Sequence, residues 1–213
     1  MMKHLFLLAL ALVLCASFGA PPAYSQETTL TPQNPLAVDM KERSVSVLAQ
    51  VNGKYLVQTT RHGVVFKEGK NGEKSVFVAL ADPETFYASL VKLGLKAGNN
   101  MTWDNKEKTY VQGDPLDVSV TWKGAKKVYS IDEAIKDSNG KPLAIRFGGN
   151  LAAALKMKTG CLMCLDSCPV GITSNATYTY GAIETRKEAA LTGNKDVLPP
   201  DGTLVVITFK AKK

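Results

Sequence analysis

Three cysteines stand within eight residues of one another, Cys161, Cys164 and Cys168, in the run Gly160-Cys-Leu-Met-Cys-Leu-Asp-Ser-Cys-Pro-Val-Gly171. The remaining cysteine, Cys15, lies in an apolar N-terminal stretch of the kind that export removes, so the mature chain commits all its thiols to one short segment. Such clustering points to a metal, to thiol redox chemistry or to a local cross-link. The bacterial ferredoxin run is Cys-x2-Cys-x2-Cys-x3-Cys-Pro, and Cys161, Cys164, Cys168 and Pro169 reproduce its last three ligand positions and its proline. Lys158 occupies the place of the first ligand and cannot take that role. A four-iron cluster would have to borrow a ligand, whereas a three-iron cluster needs only three thiolates. Zinc is the second cofactor the pattern admits, because three thiolates and one imidazole make a closed tetrahedral site. His62 is the only histidine beyond the N-terminal stretch. It could reach the cysteines only through folding, and in Arg61-His62-Gly63 it reads as a partly exposed turn residue. The spacing of Cys161-Leu-Met-Cys164 also fits a thiol–disulfide enzyme, although no thioredoxin-like βαβ pattern precedes it. Finally, two of the three cysteines can form a structural disulfide outside the cytoplasm, worth about 2–3 kcal/mol for so small a loop.

The N-terminus bears on the compartment. Lys3 and His4 precede an apolar run over residues 5–16, too short for the ~20 residues that span a bilayer. Ala23-Tyr24-Ser25 places small residues at the −3 and −1 positions of a cleavage site before Gln26. Residues 1–25 therefore read as a signal peptide, and the mature protein is expected to be periplasmic or secreted, with no transmembrane segment after cleavage. An unfolded-chain export route opposes an iron–sulfur cluster inserted in the cytoplasm. After cleavage 25 basic residues face 19 acidic ones, scattered among turns, with only a small basic tail at Lys210, Lys212 and Lys213. This reads as a solvated surface, and nucleic acid is not an expected partner.

Residues 26–37 are polar, carry two prolines and read as a linker. Beyond them apolar residues alternate over 45–51 and again over 116–122, the period of strands with one buried face. Asn52-Gly53 predicts a hairpin into a second run at Tyr55-Leu56-Val57. Further strands are expected over 64–66, 75–80, 143–147 and 203–209, the last apolar on both faces and therefore central. Asp82-Pro83-Glu84 marks a helix start, with Phe86, Leu90 and Leu93 at helical spacing. One or two helical turns are expected at 131–135. Asn150 is placed to cap a short helix over 151–158, and a weak helix is expected over 184–191. The pairs Asp132-Glu133 and Asp114 with Asp117 supply carboxylates that nothing sets across a reacting bond. Tyr178 and Tyr180 read as sheet-face residues. The expected fold class is α+β, mostly antiparallel with a few short helices, in a single domain over 38–213 that carries the cysteine loop 160–171.

Ala81-Asp82-Pro83, Leu93-Gly94 followed by Gly98, Gly113-Asp114-Pro115 and Leu198-Pro199-Pro200-Asp201-Gly202-Thr203 resemble the YdjY-domain family of exported bacterial proteins. The resemblance covers roughly residues 38–209. It implies export and a single α+β domain, carries no catalytic residue, and includes relatives labelled ferredoxin-like. The combined expectation is a non-enzymatic binding or redox-accessory protein of the cell envelope. Cys161, Cys164 and Cys168 would hold a metal or iron–sulfur centre or form a disulfide, and the partner would be an envelope protein or a small ligand. The alternatives are an envelope thiol–disulfide oxidoreductase and a disulfide-stapled binding domain.

Overall fold

The computed structural model describes residues 30–212. The signal peptide expected over 1–25 lies outside them. In chain order the elements are β1 (Leu36–Asp39), β2 (Ser44–Val51), β3 (His62–Phe66), β4 (Ser75–Ala79), α1 (Pro83–Lys92), β5 (Leu116–Thr121), β6 (Tyr129–Ser130), α2 (Ile131–Ala134), β7 (Ile135–Asp137), β8 (Ile145–Arg146), α3 (Leu151–Met157), β9 (Cys161–Cys164), β10 (Thr173–Asn175), β11 (Leu191–Gly193) and β12 (Leu204–Ala211).

Ten strands form one sheet in the order β6-β5-β12-β2-β4-β3-β9-β10-β8, with β1 paired to β2; β11 and β7 make a separate pair. The large sheet curls until its β8 edge meets the residue before β5, through an antiparallel bridge between Arg146 and Pro115. The Phe147 N–H donates to the Asp114 carbonyl at 2.9 Å beside that bridge. The alternating strands behave as their pattern dictates: Val45, Val47, Ala49 and Val51 of β2 face the core with Leu116, Val118 and Val120 of β5. β12 is central, between β5 and β2. Helix α1 starts at Asp82, whose side chain accepts the Thr85 N–H, and buries Phe86 and Leu90. Phe86 meets Phe209 of β12 edge-on at 4.8 Å between ring centroids.

The α+β expectation is corrected: the protein is largely β, a curled mixed sheet with few short helices. The three helices have ten, four and seven residues, and two strand pairs, β3–β4 and β9–β10, are parallel. The helix expected over 184–191 does not form. Arg186 there donates to the Tyr180 carbonyl and to Thr179 Oγ1, Lys187 takes a left-handed φ of 56°, and Leu191 enters β11. These tertiary partners outcompete a weak local preference. The hairpin at Asn52-Gly53 also does not form. β2 pairs with β4 instead, and a 3-10 turn over Gly53–Leu56 follows. Gly53 donates its N–H to Asp201 Oδ1 at 2.7 Å, and glycine is needed there because a Cβ would lie 2.7 Å from the Asp201 Cβ.

Candidate metal centre

The cysteine segment is not a surface loop. Its first four residues are strand β9, flanked by β3 on one side and β10 on the other, and Cys161, Leu162, Met163 and Cys164 are all fully buried. Chain entry is fixed by close backbone approach: the Phe66 N–H donates to the Gly160 carbonyl at 2.8 Å, and a Cβ on Gly69 would lie 2.5 Å from the Gly160 Cα. In a regular strand, residues three apart point to opposite faces. Here the β3–β9 register runs His62↔Cys164, Val64↔Met163, Val65↔Cys161, so one residue on each strand, Gly63 and Leu162, is left out of the pairing. These irregularities re-aim side chains, as β-bulges do near functional sites, and bring both sulfurs toward His62.

Cys164 is the hub. It stands opposite His62 on β3 and opposite Ser174 on β10. Residues opposite each other share a sheet face. Cys161 Sγ lies 3.8 Å from His62 Nδ1, and one ligating atom each from His62, Cys161 and Cys164 all lie within 4.8 Å of one another. Cys168 follows in the turn after β9. Asn150, expected to cap α3, does not cap it; its Nδ2 donates to the Cys168 and Gly171 carbonyls at 3.1 and 3.3 Å. Cys168 shares an apolar cluster with Cys161, Cys164, Val65 and Val170, but it is outside the close triad with His62. All three cysteines are buried free thiols.

The site's electrostatics favour one thiolate. A hydrogen bond from Cys164 holds Cys161 well below the usual thiol range against the opposing effect of burial, with His62 adding to the shift. Cys164, the donor, is pushed well up by its bonds to Cys161 and Cys168 and by burial. Asn71 Nδ2 donates to Cys161 Sγ at 3.9 Å.

Next to the thiols lies a buried ion pair. Arg61 Nη2 is 2.6 Å from Asp166 Oδ1, with side-chain exposures of 7% and 0%. Nε of Arg61 also reaches both carboxylate oxygens, and the Gly181 N–H donates to Oδ2. Burial opposes the Arg61 charge, but Cys168 and Asp166 outweigh it and hold the guanidinium above its ordinary range. Burial pushes the Asp166 carboxyl up, opposed by Arg61; the bidentate geometry keeps the two as an ion pair. The guanidinium stacks on Tyr180 at 4.0 Å, and Trp103 meets the same ring edge-on at 5.8 Å.

The residue that sequence reasoning misplaced is His62. It is buried, not a partly exposed turn residue, because Arg61-His62-Gly63 leads into an interior strand. The available signal was Gly63: a glycine between strand residues marks a bulge or a close backbone approach. The carboxylates have structural roles. Asp132 Oδ1 accepts the Leu143 N–H, Glu133 completes the capping box of α2 with Ser130, and Asp114 Oδ2 accepts the Lys96 N–H. Tyr178 bonds Asp137 Oδ2 at 2.6 Å.

Fold and site together define a class: a largely β protein whose curled sheet encloses a thiol–imidazole cluster. The chain belongs to the YdjY domain family, whose profile matches residues 36–210. It is 58% identical over 181 residues to "Uncharacterized protein YdjY" of Escherichia coli (strain K12), covering 85% of this chain and 80% of that protein. No solved structure matches. No helix among the described residues is long and apolar enough to cross a membrane.

Proposed function

We propose that this protein is an exported, non-enzymatic metal-binding protein of the cell envelope that holds one soft cation through His62, Cys161 and Cys164, with Cys168 beside the triad as a third, non-ligating sulfur. The observation that carries the reading is the convergence of three buried donor atoms within 4.8 Å of one another. In a tetrahedral zinc site, with Zn–S about 2.3 Å and Zn–N about 2.0–2.1 Å, donors lie about 3.4–3.8 Å apart. A sulfur–nitrogen pair falls in the middle of that range, about 3.5–3.6 Å, and the Cys161–His62 separation of 3.8 Å is within a few tenths of an ångström of it. Thiolate and imidazole donors select zinc or copper(I) over hard cations. An iron–sulfur cubane would spread its thiolates over separate irons, and the close triad favours a single ion. Complete burial of the sulfurs argues for a held ion and against thiol–disulfide exchange with a partner protein, which needs an accessible sulfur.

The test is metal analysis and native mass spectrometry of the mature chain recovered from its compartment without air. The expected result is one zinc or copper ion per chain and a first residue at Gln26. A chain that retains residues 1–25 would defeat the export reading. A chain that comes out metal-free and takes up neither zinc nor copper(I) on titration, or one that carries iron with inorganic sulfide, would defeat the metal reading.

A further inference from the structure

We infer that Thr159 and Ser174 are positioning residues of this centre, whose hydroxyls donate to the Cys161 and Cys164 sulfurs when these hold a metal ion. The inference rests on the metal reading above. Among the described residues, two buried side-chain oxygens lack any hydrogen-bond partner, and they are Thr159 Oγ1 and Ser174 Oγ. Both sit at the cysteine cluster. Ser174 is opposite Cys164 across the parallel β9–β10 pair. A Cβ built on Gly171 would lie 2.5 Å from Ser174 Oγ and 3.1 Å from Cys164 Sγ, so that hydroxyl and that sulfur border the same point. Thr159 is buried and lies two residues before Cys161, at the entry to β9, with Gly160 between them.

The fold does not leave hydroxyls unpaired elsewhere in this region. Thr173 Oγ1 donates to the Leu162 carbonyl at 2.8 Å, and Ser167 Oγ donates to the Asn175 carbonyl at 3.2 Å. Ser174 Oγ borders a point that the Thr173 carbonyl and the Cys164 sulfur also border, and it bonds to neither. A neutral thiol is a weak acceptor, and a thiolate is a strong one. When the metal binds, the proton still on Cys164 leaves to bulk water, metal–sulfur bonds form and both sulfurs are fixed as thiolates. The two hydroxyls then gain acceptors. Asn71 already donates to Cys161, so the metal-bound pair would receive three outer donors. Partners of this kind fix ligand orientation and govern metal affinity.

The experiment is anaerobic titration of the mature chain with Co(II), followed by competition with Zn(II), for the wild type and for Thr159→Val, Ser174→Ala, Ser174→Gly and Thr159→Ser. The expected result is a thiolate-to-metal charge-transfer band in the wild type that shifts in Thr159→Val and Ser174→Ala. Their zinc affinity should fall roughly 10- to 100-fold, with Thr159→Ser restoring both. The metal-free variants should melt no lower than the metal-free wild type, because the lost hydroxyl had no partner there. Ser174→Ala deletes only the oxygen, Ser174→Gly deletes the Cβ as well, and Thr159→Val serves if neither Ser174 variant folds. Unchanged affinity and spectrum in the Thr159 and Ser174 variants would overturn this inference and leave the metal reading standing, as would a metal-free melting loss as large as the metal-bound one. A wild type that binds neither ion would overturn both.

Discussion

His62 and Cys164 stand directly opposite each other across the antiparallel β3–β9 pair, although most of the fold separates them along the chain. The pairing turns a lone histidine into a candidate ligand and makes Cys164, not Cys168, the centre of the site. It also ranks the donors.

Replacing His62 by Ala, or Cys161 or Cys164 by Ser, should weaken metal binding by more than the roughly 10- to 100-fold that loss of an outer-shell partner costs. Cys168→Ser should cost roughly tenfold or less, because Cys168 lies outside the close triad. Competition titration against a chelator of known strength checks the order. Equal losses at Cys168 and Cys161 would show that the third sulfur moves fully into the coordination sphere.

Gly63→Ala should loosen the site without touching a ligand. A Cβ there would lie 2.6 Å from Met163 Cε, 3.1 Å from Leu165 Cδ2 and 3.2 Å from the Met163 carbonyl oxygen. The Met163 methyl must swing aside within a packed interior and the Met163 carbonyl must give by a few tenths of an ångström, which disturbs the pairing that sets His62 against Cys164. Overpacking of this kind costs about 1–3 kcal/mol. Urea unfolding and zinc affinity should both decline, and a variant with native affinity would show that the bulge does not set the ligand spacing.

Asp166→Asn should destabilise the fold by about 3–5 kcal/mol, because it strands the Arg61 charge in the interior. The double variant Arg61→Met, Asp166→Leu should recover much of that loss, since replacing both members of a buried pair by apolar groups is often neutral. Denaturant midpoints of the single and double variants read this directly. A single variant as stable as the wild type would mean that water reaches the guanidinium.

Stability should fall in alkali through Tyr178. Burial, and then the bond to Asp137, push its hydroxyl up from 10.0 to about 12 in the folded chain. The unfolded phenol ionises first, so the unfolded state binds fewer protons over that window. The contribution is whole below pH about 10 and is lost as pH rises toward 12. Thermal melts of wild type and Tyr178→Phe across that range should show a steeper fall in the wild type. Parallel curves would remove Tyr178 from the account.

The sequence by itself determined the elements whose signals are local. Val45 to Val51 and Leu116 to Trp122 alternate, and a strand with one buried face follows from the two-residue period. Asp82-Pro83 starts α1 because the cap and the first-turn proline act within one turn of backbone. The cysteine spacing likewise marked where the chemistry lies, since three thiols so near in sequence cannot be far apart in space. Only the tertiary structure decided what surrounds them. His62 reads as a turn residue until β3 is laid beside β9. Gly53 reads as a hairpin glycine until Asp201 arrives from the far end of the chain to take its N–H. Arg61 finds Asp166, and Asn150 turns from the helix it precedes to the carbonyls of Cys168 and Gly171. The physical reason is common to all four. Strand pairing joins residues of any sequence separation, and a buried polar group takes whichever partner the packed sheet brings within reach.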